Sequence, residues 1–94
     1  MNHISDKDIK YLYRAILSLE NMEECDAFFE DICTIKELYS MAQRMTVANL
    51  LSQGKTFNEI VEETGASSAT ISRVNKALNY GKGYKTVLKK GHME

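Results

Sequence analysis

The 94-residue chain has no proline, no tryptophan and only five glycines. With so little to break it, and with no run of alternating β-branched residues, it reads as all-α. No apolar run approaches the roughly 20 residues that cross a bilayer, so no membrane partner is expected. Asp6, Asp8 and Lys10 interrupt the N-terminus before a signal-peptide core can form, and a cytoplasmic protein is expected. Cysteine is scarce too. Cys25 and Cys33 stand eight apart, too far for a local disulfide or a CxxC motif. They read as reduced core thiols, with redox sensing the alternative. His3 and His92 lie near opposite ends, and no His/Cys cluster has metal-site spacing. Paired carboxylates at acid/base spacing, a Ser/His/Asp or Cys/His set, and a glycine-rich phosphate loop after a strand are all missing. Neither an enzyme nor a cofactor or metal is expected.

What is present centres on Thr56 to Leu78, which reads as two short helices joined at a glycine. Thr56 and Glu59 have capping-box spacing, and Phe57, Ile60 and Val61 line one face of the first helix. Gly65 stands where a chain leaving a helix often turns left-handed. Ser67 or Ser68 can cap the second helix, whose Ile71, Val74 and Leu78 fall at i, i+3 and i+7. Such a pair matches a helix-turn-helix. Opposite the apolar stripe stand Ala69, Ser72, Arg73 and Lys76, flanked by Ser68 and Thr70. Small hydroxyl residues let a helix sink into a DNA groove, and the two cations suit phosphates. The second helix is therefore expected to be a recognition helix on double-stranded DNA.

The net charge of −1 conceals an asymmetry. Residues 1 to 65 carry six positive and twelve negative side chains, whereas residues 66 to 94 carry six positive ones against Glu94 alone. The positive end takes in the proposed recognition helix and then Lys82, Lys85, Lys89 and Lys90. Clustered positive charge is a footprint of nucleic-acid binding.

Three helices are expected before this motif. Asp6 to Leu19 has apolar residues at Ile9, Leu12, Tyr13, Ile16 and Leu17. Asn21 can cap a second helix through Cys33. Thr34 and Glu37 can form a capping box for a third, running to Gln53 and stopping at Gly54. That third helix is apolar on one side at Ile35, Leu38, Met41, Ala42 and Met45, and on another at Val47, Leu50 and Leu51. Five short helices offer little to cover it, so a second copy of the chain is expected to do so. The organisation is a single domain, residues 1–94: dimerisation helices over 1–54, the helix-turn-helix over 55–80, and a basic segment over 81–94. Gly81 and Gly83 in that segment read as a helix stop and a flexible turn.

The string from Met41 to Tyr84, and above all ATISR (Ala69 to Arg73) followed by Leu78, resembles the core of the Trp-repressor-like family, especially its YerC/YecD-type branch. The resemblance covers nearly half the chain. It implies an intertwined all-helical homodimer that holds two reading heads. It also implies that Ser67, Ser68, Ala69, Thr70, Ser72 and Arg73 match the segment contacting operator DNA, with Lys55, Thr56 and Asn58 near the phosphates. The helical wheel adds Lys76.

Tryptophan does not follow from the resemblance. In the family's tryptophan binder the indole lies between two arginines, and a glycine follows the one on the recognition helix. Here Arg73 matches that arginine, but Val74 follows it. The central-helix arginine position falls on Gln43, with Arg44 one residue out of register, about 100° around the helix. A tryptophan-independent regulator on an inverted-repeat operator is the leading expectation. A helix-turn-helix that docks a protein without binding DNA is the alternative.

Overall fold

The structure is a computed structural model that describes residues 3–91. His92 and Glu94, weighed above, lie outside those residues. The described residues form six helices and no strand: α1 (Asp6–Leu17), α2 (Met22–Ile32), α3 (Ile35–Ser52), α4 (Phe57–Thr64), α5 (Ser68–Tyr80) and α6 (Gly83–Lys90). The chain divides into two compact units, Met1–Leu38 and Tyr39–Glu94, and the break between them falls inside α3.

The first unit is built by caps. Ser5 and Asp8 form a capping box on α1, a device not anticipated from the sequence. Asn21 Oδ1 accepts from the Glu24 N–H at 2.9 Å, and the Glu24 carboxylate accepts from the Glu20 N–H, so α2 starts where expected. Thr34 and Glu37 exchange hydrogen bonds at the start of α3, as their spacing predicts. Phe28 and Phe29 meet edge-on at 5.4 Å. Neither α1 nor α2 contains a buried residue, and Ile9, Leu12, Leu17, Met22 and Ile32 are all exposed.

The second unit contains the core. Val47, Ala48 and Leu50 from α3 are buried with Ile60 of α4, Ala66 of the turn, and Ile71 and Val74 of α5. Leu51, Tyr84 and Leu88 pack against this cluster. Each buried aliphatic side chain contributes about 1.5–3 kcal/mol, and together they fix how α5 is rotated. Helix α3 ends in a Schellman motif: Gly54, at φ 85°, donates to the Leu51 carbonyl, and Lys55 donates to that of Leu50.

Two expectations need correcting here. The basic segment after residue 80 contains a sixth helix, and Gly83 opens it instead of forming a flexible turn. Gly81 does stop α5, its N–H donating to the Ala77 carbonyl at 2.8 Å. Packing explains the difference: Tyr84 and Leu88, one turn apart, dock on the core and outweigh the local glycine signal. Helix α1 also ends at Leu17 rather than Leu19, where Ser18 Oγ donates back to the Ala15 carbonyl.

Candidate nucleic-acid interface

The turn between α4 and α5 is stitched by its own polar groups. Gly65 takes the left-handed conformation at φ 70°, and its N–H donates to the Val61 carbonyl. Thr64 Oγ1 donates to the Ile60 carbonyl and accepts from the Ala66 N–H. From α3, Gln43 Nε2 reaches the Thr64 carbonyl at 3.1 Å. These bonds leave little freedom in the angle between the two helices.

Ser67, rather than Ser68, caps α5. Its Oγ accepts from the Thr70 N–H and donates to Thr70 Oγ1, both at 3.1 Å. With Ile71 and Val74 held in the core, the opposite face of α5 points outward. Ser68, Ala69, Ser72, Arg73 and Lys76 are exposed on it, while Thr70 is half-buried. Lys55, Thr56 and Asn58 are exposed around the start of α4. The ten residues picked out from the sequence therefore all fall at the two helix starts or along the outer face of α5. Thr56 and Ser67 serve also as caps, so their hydroxyls are partly committed to the helices.

Electrostatics favours an anion at the start of α5. Helices α1 to α4 each carry an acidic residue in the first turn, whereas α5 has none. Apart from the Thr70 N–H, which Ser67 caps, its first N–H groups and the positive end of its dipole face no acid of the helix's own first turn. At the start of α4, the Thr56 N–H and then the Thr56 hydroxyl hold the Glu59 carboxyl below its ordinary value; desolvation opposes them and Lys55 adds a smaller lowering effect.

The expectation that Arg44, one residue out of register, would point away from Arg73 does not hold. Arg44 of α3 and Arg73 of α5 line one cavity of about 290 Å³, together with Val74, Ala77 and Tyr84. Gln43 instead faces the end of α4. Arg44 is half-buried, and one of its guanidinium nitrogens donates to Ser40 Oγ at 2.8 Å. Two guanidinium groups beside an apolar wall can hold a small anion that has an apolar part. A second, mostly apolar groove of about 420 Å³ is lined by Met45, Ala77, Gly83, Tyr84 and Val87. Helix α6 contributes to both cavities, and its absence from the sequence reading hid them.

The family profile described as Trp repressor protein matches residues 7–92. The chain belongs to the Trp repressor family. It is 51% identical over 81 residues to YerC of Bacillus subtilis (strain 168), an alignment covering 86% of this chain and 78% of that protein. Its fold superposes with a TM-score of 0.91 on a TrpR-like protein from Eubacterium eligens ATCC 27750, at 47% identity, covering 99% of this chain and 97% of the other. A candidate Trp repressor from Staphylococcus aureus gives a TM-score of 0.90 at 44% identity, covering 96% and 91%. The helix-turn-helix of this Trp repressor family member is therefore set in the family's all-helical frame. Among the described residues no helix is long and apolar enough to cross a membrane.

Proposed function

We propose that the chain is a cytoplasmic, sequence-specific DNA-binding transcription regulator, not an enzyme, that acts as a homodimer on an inverted-repeat operator. The observation that carries this reading is the second helix of the motif. Buried Ile71 and Val74 turn Ser68, Ala69, Arg73 and Lys76 outward, at a helix start that carries no acid of its own. Hydroxyls there can hydrogen-bond phosphates or base edges, Ala69 suits a thymine methyl, and Arg73 and Lys76 suit phosphates or guanine edges.

Uncovered apolar surface supports the dimer. Ile35 and Met41 of α3 are 67% and 36% exposed, α1 and α2 bury nothing, and the 420 Å³ groove on the second unit stands open. A second copy would supply the missing cover, as the family's intertwined assembly implies. Tryptophan is not the effector in this reading. The branched Val74 side chain, 2% exposed, occupies the place where the tryptophan binder has glycine.

Selection of binding sites from a random DNA pool tests the whole. An inverted repeat with half-site centres about 10 base pairs apart, or somewhat less, is expected. Ala69→Glu should abolish binding while the dimer stays folded. If Ala69→Glu and Arg73→Ala each leave affinity within about twofold, α5 does not enter a groove, and the protein-docking alternative holds.

A further inference from the structure

Helix α6 has a face that DNA reading by α5 leaves unexplained. Lys85 and Lys89 lie on one side of α6, with Lys82 at its N-cap; at i, i+3 and i+7 the three fall on one side, centred about 110° around from the Tyr84 and Leu88 side that packs on the core. All three lysines are exposed. Among the described residues their one partner is the Asn79 carbonyl, which accepts from Lys85 Nζ at 3.1 Å. That bond pins the lysine face to the last turn of α5. Helix α5 has 13 residues, so its two ends are about 18 Å apart, and the lysines lie at the end away from the Ser67 cap.

A matching face of opposite sign exists on the same chain. Helix α2 presents Glu23, Asp26 and Glu30, also at i, i+3 and i+7, on the side away from Cys25, Phe28 and Ile32. These three carboxylates are exposed, and the helix contains no cation. Two helices laid side by side with the same charge spacing can form three ion pairs in register. Exposed pairs are individually weak, but a row of three sets partner and orientation.

We propose that the lysine face of α6 docks on the acidic face of α2 from a second copy of the chain, so that charge sets the pairing of the homodimer. This rests on the dimeric reading above and adds to it a residue-level rule for which surfaces meet. Two-fold symmetry makes the contact occur twice per dimer.

Charge reversal followed by mixing provides the test. One variant combines Glu23→Lys, Asp26→Lys and Glu30→Lys; the other combines Lys82→Glu, Lys85→Glu and Lys89→Glu. Each homodimer then sets like charges against each other, and its dissociation constant should rise about tenfold or more at low salt. The one-to-one mixture restores both pairings, since each chain supplies what the other needs. It should form a heterodimer about as tight as the unaltered homodimer, and this rescue shows that both variants fold. The differences should shrink in 1 M salt, where the Debye length is about 3 Å. Sedimentation of the two variants, their mixture and the unaltered chain reads all of this. Variants that homodimerise like the unaltered chain overturn the proposal and leave the dimer standing. Weakened variants that mixing does not rescue overturn it too, because the faces then do not meet across chains. An unaltered chain that stays monomeric at micromolar concentration overturns the dimeric reading and the proposal with it.

Discussion

Ser67→Asp should separate the stability of α5 from its ability to bind DNA. Ser67 Oγ satisfies the Thr70 N–H at 3.1 Å, so Ser67→Ala should cost about 1 kcal/mol per chain. Aspartate caps as well as serine does and adds a charge at the positive end of a helix whose first turn has no acid, a gain of about 0.3–1 kcal/mol. In stability the Asp variant should therefore equal or exceed the unaltered chain, and the Ala variant should fall below it. On DNA the order changes. A carboxylate about 4 Å from a phosphate costs about 1 kcal/mol per chain even at the dielectric of water. Two such sites per dimer lower affinity by about thirtyfold, and partial desolvation makes this a lower bound. Urea unfolding followed by helical circular dichroism, at one fixed protein concentration, gives the first ordering. Fluorescence anisotropy on a selected operator gives the second. A stable Ser67→Asp dimer that binds the operator within twofold of the unaltered protein would refute the placement of the α5 start at the phosphates.

Four further outcomes follow from the geometry. Gly65→Ala should cost about 1–2 kcal/mol by backbone strain alone, because φ is +70° and an added Cβ meets nothing within 4 Å; an unchanged urea midpoint would contradict this. Gly83→Ala should have the opposite sign, a gain of about 0.5–1 kcal/mol, since the position is helical, open and free of positive φ. The Glu59 carboxyl is held below its ordinary 4.5, so its cap contribution is fully present above that pH and lost as pH falls through the lowered folded value. Acid titration of Glu59→Gln should lack this component, and identical acid profiles would count against the capping box. L-tryptophan should give no heat of binding in calorimetry, and a micromolar site would show that Val74 does not block the cavity.

Helix starts were legible in the sequence because caps are local. Thr56 with Glu59, Thr34 with Glu37, Asn21 and Gly65 each act over four residues or fewer and stand as expected, and of the two serines open as the α5 cap the structure uses Ser67. The one cap missed, Ser5 with Asp8, uses aspartate where the usual box has Glu or Gln. Helix α6 was missed for a different reason. Its eight residues begin at a glycine with no side-chain cap, and such a short helix is marginal on its own. What holds it is the docking of Tyr84 and Leu88 on the buried core cluster, and no local pattern announces that. The unit boundary within α3 was equally hidden. The helix is continuous through Leu38, and only the tertiary use of its second half, through Val47, Ala48 and Leu50, separates it from the first.

The outward face of α5 was legible for the reason that the direction of Arg44 was not. Ile71 and Val74 lie within the same short helix as Arg73, so 100° steps from buried to exposed accumulate little error. Placing Arg44 meant counting back along α3 from Leu50 and Leu51 and aligning it with another protein's helix. A shift of one residue there reverses which side chain faces α5. In the structure Gln43 reaches the α4 carbonyl end, and its neighbour Arg44 lines a cavity with Arg73. Two cations therefore line one cavity with Val74, Ala77 and Tyr84.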